Sequence, residues 1–253
     1  AVYPGDKNKL PYDVVVERLH IEEPEPPAPV TETEKTFEEV LDEHPVSIQV
    51  NGQWQTFPNA RAAEEASYEE YKANLRRTAE NFRITDDHLG EGGPKAKFQA
   101  NIEAIKLLKY LEETTAQATP EQQEVLSRYV GWGGLSDAFD PEKPAWALEY
   151  AQLKELLTPE EYAAARSSTL NAHYTSPTVI QAIYEAVNRM GFETGNILEP
   201  SMGVGNFFGM LPEKMRNSRL YGVELDPVSG RIAKQLYPKA DITVGGFETT
   251  DRR

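Results

Sequence analysis

Apolar and polar positions alternate along VSIQVNGQWQTF, residues 46–57, around Asn51-Gly52, a dipeptide that accepts positive φ. The pattern predicts a β-hairpin. A two-residue turn would put Trp54 on the face opposite Val46, Ile48 and Val50, so a three-residue loop with Val50 across from Trp54 is expected. From Asn59 to about Val130 the period becomes helical. Tyr68, Tyr71, Leu75, Ala79 and Phe82 share one face of a first helix; Phe98, Ile102, Ile105 and Leu108 do so in a second that opens at Pro94. Thr119-Pro120-Glu121-Gln122 and Thr158-Pro159-Glu160-Glu161 are capping boxes with proline at the first helical position. Between them, YVGWGGLSDAF (129–139) reads as a tight packed turn covered by Trp132, with contact to a ligand or nucleic acid as the alternative. The last third changes character again. NILEP (196–200), SMGVGNFFG (201–209), YGVELD (221–226) and DITV (241–244) spell strand, glycine loop, short helix, strand, helix, strand. That alternation predicts a parallel sheet flanked by helices, with a ligand outside the carboxyl ends of the strands.

These patterns divide the 253 residues into an acidic Pro/Glu-rich arm and linker (1–35), a hairpin segment (36–60), a helical region (61–170) and a cofactor-type α/β region (171–253). YDVVVERLHI (12–21) reads as a strand within the arm, and IEEPEPPAPVTETEK (21–35) is too poor in large apolar side chains to offset the cost of ordering it. The formal net charge is −15, and all of it lies ahead of residue 171; the α/β region is neutral. The acidity therefore says nothing against a polyanionic ligand there. Zero cysteines exclude a disulfide scaffold and any thiol nucleophile. The four histidines are too scattered for a metal site, which leaves the Asp86-Asp87-His88 cluster as a solvated turn. No apolar run reaches membrane-spanning length and no signal peptide opens the chain, so a cytoplasmic protein with no membrane partner is expected. Lys95, Lys97, Lys106 and Lys109 form a stripe that suits phosphate and solvent equally.

Candidate chemistry concentrates after residue 170. Gly203 and Gly205 would let the backbone approach a ligand closely, and Glu224, ending the second strand of this region, could accept both hydroxyls of a ribose. Gly203, Gly205 and Gly209 mimic a dinucleotide fingerprint, but there the first glycine follows directly on an apolar strand. Here Glu199-Pro200 intervenes. A carboxylate at that strand tip opposes a pyrophosphate and suits a cationic amino-acid group. The residues thus favour S-adenosyl-L-methionine, which carries an ammonium, a sulfonium and a ribose, over a dinucleotide.

The segment NAHYTSPTVIQAIYEAV (171–187), with EPSMGVGNFFG and YGVELD, resembles the DNA adenine-N6 methyltransferases in which the cofactor motifs precede the catalytic one. More narrowly, NFRITDDHLGEGGPKAKF, YVGWGGL and LYGVELDPVSGRIAKQLYP resemble the large methylase-helicase proteins of bacterial mobile elements, over about residues 81–253. The resemblance implies an incomplete Rossmann-like methyltransferase core, S-adenosyl-L-methionine as cofactor, DNA as partner and a downstream helicase region in the same polypeptide. It implies that Thr175 holds the methionine carboxylate, Glu199 with Pro200 meets the ammonium, Gly203 and Gly205 line the bend beneath the cofactor, Glu224 binds the ribose, and Leu225 and Phe247 sandwich the adenine. Ser176 as N-cap and Pro177 at the first helical position independently predict a helix N-terminus suited to a carboxylate.

Two departures from the family pattern stand out. Gly246 replaces the aspartate that usually reads the cofactor's adenine amine. The catalytic motif, an Asn, Asp or Ser followed by two prolines and an aromatic, is absent and would lie beyond Arg253, so no catalytic residue is assigned and the chain by itself is expected to be inactive. The competing expectations are a non-catalytic module that binds the cofactor or DNA within a larger machine and a methyltransferase acting on a protein or small molecule, since the cofactor half of the fold does not encode the acceptor.

Overall fold

The computed structural model describes residues 44–85, 90–170 and 174–250; the acidic arm, its strand-like stretch and Asp86-Asp87-His88 lie outside them. The chain separates into two units, 1–77 and 78–253.

In the first unit, β1 (Val46–Val50) and β2 (Gln53–Phe57) pair antiparallel. Asn51 and Gly52 have φ of 52° and 76°. The connection is therefore a two-residue turn with both central residues left-handed, not the expected three-residue loop. Val50 faces Gln53 and Trp54 faces Gln49. The backbone twist of such a turn matches that of the strands. This local preference prevails over covering Trp54, which is left 71% exposed. The following helix, α1 (Ala60–Thr78), is started by Asn59, whose Oδ1 accepts from the Ala62 N–H at 2.8 Å. Its expected apolar face is shorter than the periodicity suggested. Ala79 and Phe82 lie past its end, in an extended segment of the second unit where Phe82 N–H donates to the Leu236 carbonyl (2.7 Å) and Ile84 N–H to that of Gly209 (3.0 Å).

The second unit orders α2 (Pro94–Glu113), α3 (Pro120–Ser127), α4 (Ala147–Leu156), α5 (Pro159–Ser168), α6 (Pro177–Arg189), β3 (Asn196–Glu199), α7 (Asn206–Gly209), β4 (Arg219–Glu224), α8 (Pro227–Leu236) and β5 (Asp241–Val244). The strands form a parallel sheet in the order β3-β4-β5, with Glu199 beside Gly222 and Glu224 beside Val244. This mixed α/β arrangement with a parallel sheet is compatible with a Rossmann-like core. Both glutamates consequently end at the carboxyl edge of the sheet. Among the described residues β3 has β4 as its sole strand partner.

One hydrophobic cluster runs from Phe82 through α2, α3 and α8 to Ile242, so the helices after residue 78 and the sheet share a core. Phe98, Ile102, Ile105 and Leu108 are buried in it, as the periodicity of α2 predicts. Both capping boxes form: Gln122 N–H donates to Thr119 Oγ1 (3.3 Å) and Glu161 N–H to Thr158 Oγ1 (3.2 Å). Glu161 has a second task, accepting from Lys109 of α2 (2.9 Å) and from Arg231 of α8, and it thereby joins three helices. Lys95 bonds Glu149 (2.6 Å) and lies over the Trp146 ring. Two members of the lysine stripe are thus used in intramolecular pairs and do not form a free phosphate-facing row.

No described helix is long and apolar enough to cross a membrane. Among the described residues no group of three His, Cys, Asp or Glu could hold a metal ion.

Candidate functional site

The carboxyl ends of β3 and β4 open into a cavity of about 510 Å³. The chain reverses at both ends for identifiable reasons. After β3, Met202 N–H donates to the Val223 carbonyl (3.0 Å), and Gly203 (φ 56°) and Gly205 (φ 86°) turn the backbone into α7 in a conformation that side chains disfavour. After β4, Asp226 caps α8, its Oδ1 accepting from the Ser229 N–H at 2.7 Å.

Glu224 ties these two turns together. Its Oε2 accepts from the Gly203 N–H (2.6 Å) and its Oε1 from the Asp226 N–H (2.8 Å). Burial raises its pKa and these two bonds oppose the rise. Each oxygen keeps a further lone pair for a ligand hydroxyl. Glu199 is differently placed. Its Oε2 is buried without a hydrogen-bond partner, and burial, reinforced by the charge of Glu224, lifts its pKa to about 8. A carboxyl in that position holds its proton near neutrality until a cation arrives.

Of the residues expected at the site, Thr175, Glu199, Gly203, Glu224 and Leu225 line this cavity. Pro200, Gly205 and Phe247 do not. Gly205 lies against the buried Tyr237 ring, which allows α7 to seat on the core. Phe247 sits in a short 3-10 turn, 48% exposed, while Leu225 is 74% exposed at the cavity edge. Ser176 and Pro177 begin α6 as predicted, although the Ser176 side chain makes no capping bond. At Gly246 an added Cβ would meet the folded-back carboxylate of Glu248, so an acidic group stands beside the position where the expected aspartate is missing.

Of the opposite wall, the sequence offered only the 129–139 loop, as its alternative reading. Tyr129, Gly131, Ala164, Ser167 and Ser168 reach the cavity from the helical part of the unit, joined by Tyr174, Asp226 and Ser229. Trp132 is buried among Phe98, Tyr129 and Phe139, as expected for a packed turn. Its neighbour Gly131 has another role. The Tyr174 ring lies between Gly131 and Gly203, 2.9 Å from where a Cβ on either would stand. Buried Asn101 fixes this loop, donating to the Gly131 carbonyl (2.6 Å) and accepting from the Val130 N–H (2.9 Å). The sequence does carry a signal, three glycines in YVGWGGL, but no spacing rule connects them to residue 203.

No family model and no solved structure matches the chain. Among curated proteins it is 26% identical over 159 residues to the "Defense against restriction protein B" of Escherichia phage P1, an alignment covering 63% of this chain and 6% of that protein. It is 36% identical over 78 residues to the "Type II methyltransferase M.CvrRI" of Paramecium bursaria Chlorella virus XZ-6E, covering 31% of this chain and 20% of that protein. The chain therefore matches a small fraction of the length of either relative.

Proposed function

We propose that the chain binds S-adenosyl-L-methionine in the cavity at the ends of β3 and β4, as the cofactor-binding part of a methyltransferase that modifies adenine N6 in DNA. The observation that carries this reading is the Glu199–Glu224 pair: two carboxylates at adjacent strand ends, one with a buried, unpartnered oxygen and a pKa raised to about 8. Such a pair repels a pyrophosphate and is relieved by an ammonium. The similarity to a type II methyltransferase supports the same reading.

In this reading Thr175, just ahead of the Ser176 N-cap of α6, holds the methionine carboxylate near backbone N–H groups. Glu199 releases its proton and accepts the ammonium. Gly203 provides close backbone approach, with Pro200 and Gly205 shaping the loop. Glu224 accepts the ribose hydroxyls while still bracing Gly203, and Leu225, at the cavity edge, lies against one face of the adenine; Phe247, outside the lining, has no part in it. When bound, the cofactor supplies an electrophilic methyl on its sulfonium, and these residues position it for in-line attack by an amine. DNA and a helicase region of the same polypeptide are the proposed partners, on the strength of the resemblance to methylase-helicase proteins.

Calorimetry of the chain with S-adenosylhomocysteine and with NAD tests the cofactor reading. Heat of binding is expected for the first and none for the second. The reverse result would discard it.

A further inference from the structure

Four buried side-chain atoms among the described residues have no hydrogen-bond partner: Tyr129 Oη, Trp132 Nε1, Glu199 Oε2 and Asp226 Oδ2. Glu199 belongs to the reading above. Tyr129 and Asp226 do not, yet both line the same cavity. Tyr129 is 1% exposed, and its ring is held edge-on against Trp132. The Asp226 carboxylate is anchored through its other oxygen, which caps α8. Ser229 and Trp132 stand beside the Tyr129 hydroxyl without completing a hydrogen bond of ordinary geometry to it, and Ser229 also stands beside Tyr174. Burial raises the Tyr129 phenol well above its usual value and the Asp226 charge raises it further, so the hydroxyl keeps its proton and the two groups are close enough to sense one another. Both residues line the cavity, and each keeps a desolvated polar atom, one acceptor and one donor, without a hydrogen bond of ordinary geometry, a state that costs free energy until something fills it.

We propose that Tyr129 and Asp226 form a base-reading subsite: Asp226 Oδ2 accepts from the exocyclic amine of an aminopurine while the Tyr129 hydroxyl donates to the adjacent ring nitrogen. The inference rests on the methyltransferase reading of the cavity and adds to it the residues that discriminate the purine. The donor–acceptor edge concerned occurs both in the cofactor's adenine and in an adenine extruded from DNA, so the chemistry is shared and the source is a matter for experiment. The cavity holds no aspartate from position 246, which is glycine, and the pair offers the acceptor from a different element.

The Asp226→Asn variant provides a test by inversion. Its amide oxygen can still cap α8, while its NH2 turns the unpartnered group from acceptor to donor. A hypoxanthine edge, with a carbonyl in place of the amine and an N–H in place of the bare ring nitrogen, then becomes the better match. Tyr129→Phe keeps the ring packing and removes the donor.

In the first arm, calorimetry compares S-adenosylhomocysteine with its inosine counterpart. The second arm saturates the protein with S-adenosylhomocysteine and measures fluorescence anisotropy of a short single strand carrying adenine or hypoxanthine at one position. The wild type should prefer the adenine form by about tenfold, Tyr129→Phe should lose most of that preference, and Asp226→Asn should reverse it. Reversal in the first arm assigns the pair to the cofactor's base; reversal in the second alone assigns it to the acceptor base. If the wild type binds S-adenosylhomocysteine and both variants keep its preferences in both arms, the subsite is refuted while the methyltransferase reading stands. If the wild type binds no S-adenosylhomocysteine, the reading of the cavity fails and the subsite with it.

Discussion

The carboxyl of Glu199 links the site to pH. Its folded pKa of about 8 lies above that of an unfolded glutamate, so its contribution to stability is fully present below the unfolded value and is lost as pH rises through about 8. Denaturant unfolding without ligand should therefore show stability falling from about pH 5 to pH 8, by something on the order of 3 kcal/mol, and Glu199→Gln should flatten the slope. Ligand binding should show the opposite trend. An ammonium selects the ionised carboxylate, so S-adenosylhomocysteine affinity should rise between pH 6 and 8 with release of a proton, detected as a dependence of the heat on buffer. At Glu224 two charge-assisted hydrogen bonds to a ribose are at stake. Glu224→Ala should weaken S-adenosylhomocysteine by about a hundredfold. Glu185→Ala, on the exposed side of α6 where Glu185 meets Arg189 at 3.7 Å, should leave it unchanged; equal losses would remove Glu224 from the site. These acidic positions are legible in the sequence because each follows an apolar strand. The orphaned state of Glu199 is not, since it depends on which groups converge on one oxygen.

At the scale of elements, the site depends on contacts that bring loops together rather than on the loops themselves. Gly131→Ala would add strain at a φ of 66° and drive a methyl into the Tyr174 ring, which Gly203 blocks on the other side. A loss of roughly 1–2 kcal/mol is expected, together with weaker ligand binding, and Gly134→Ala, also at positive φ but with nothing near its Cβ, should lose stability without the binding defect. The Glu161 junction makes a second case. Burial alone would raise this carboxyl, but bonds from Lys109, Thr158 and Arg231 prevail and hold it below its ordinary value. Glu161→Ala strands the partly buried Lys109, takes one of two carboxylates from Arg231, which keeps Glu112 at 2.9 Å, and removes the acceptor of the Thr158 N–H; it should cost roughly 1–2 kcal/mol by thermal or denaturant unfolding. The capping box was readable in the sequence, but the ion pairs it carries span 52 and 70 residues and follow only from packing. The hairpin shows the reverse case. Burial of Trp54 argued for a longer loop, and the Asn51-Gly52 turn prevailed because its backbone preference is satisfied locally whatever the side chains face.

For the molecule as a whole, every residue of the cavity and of the principal hydrophobic cluster lies within 78–253. A protein comprising those residues alone is therefore expected to bind S-adenosylhomocysteine with the affinity of the full chain, measured by calorimetry on both. A loss of more than about tenfold would show that the first 77 residues contribute to the site. The elements and their order follow from local pattern: period-2 and period-3.6 patterning, two capping boxes, and the alternation of strand, glycine loop and helix after residue 195 are local properties, set by backbone sterics and by which side of each element must leave water. That pattern also places Glu199 and Glu224 at strand ends, because a parallel sheet aligns those ends. That the helices before residue 170 share the core of the sheet and supply a wall of the cavity follows only from packing. Tyr129, Gly131, Tyr174 and Asp226 meet through burial and shape complementarity between segments far apart in the chain, and no periodicity along a sequence encodes which distant surfaces will close on one another.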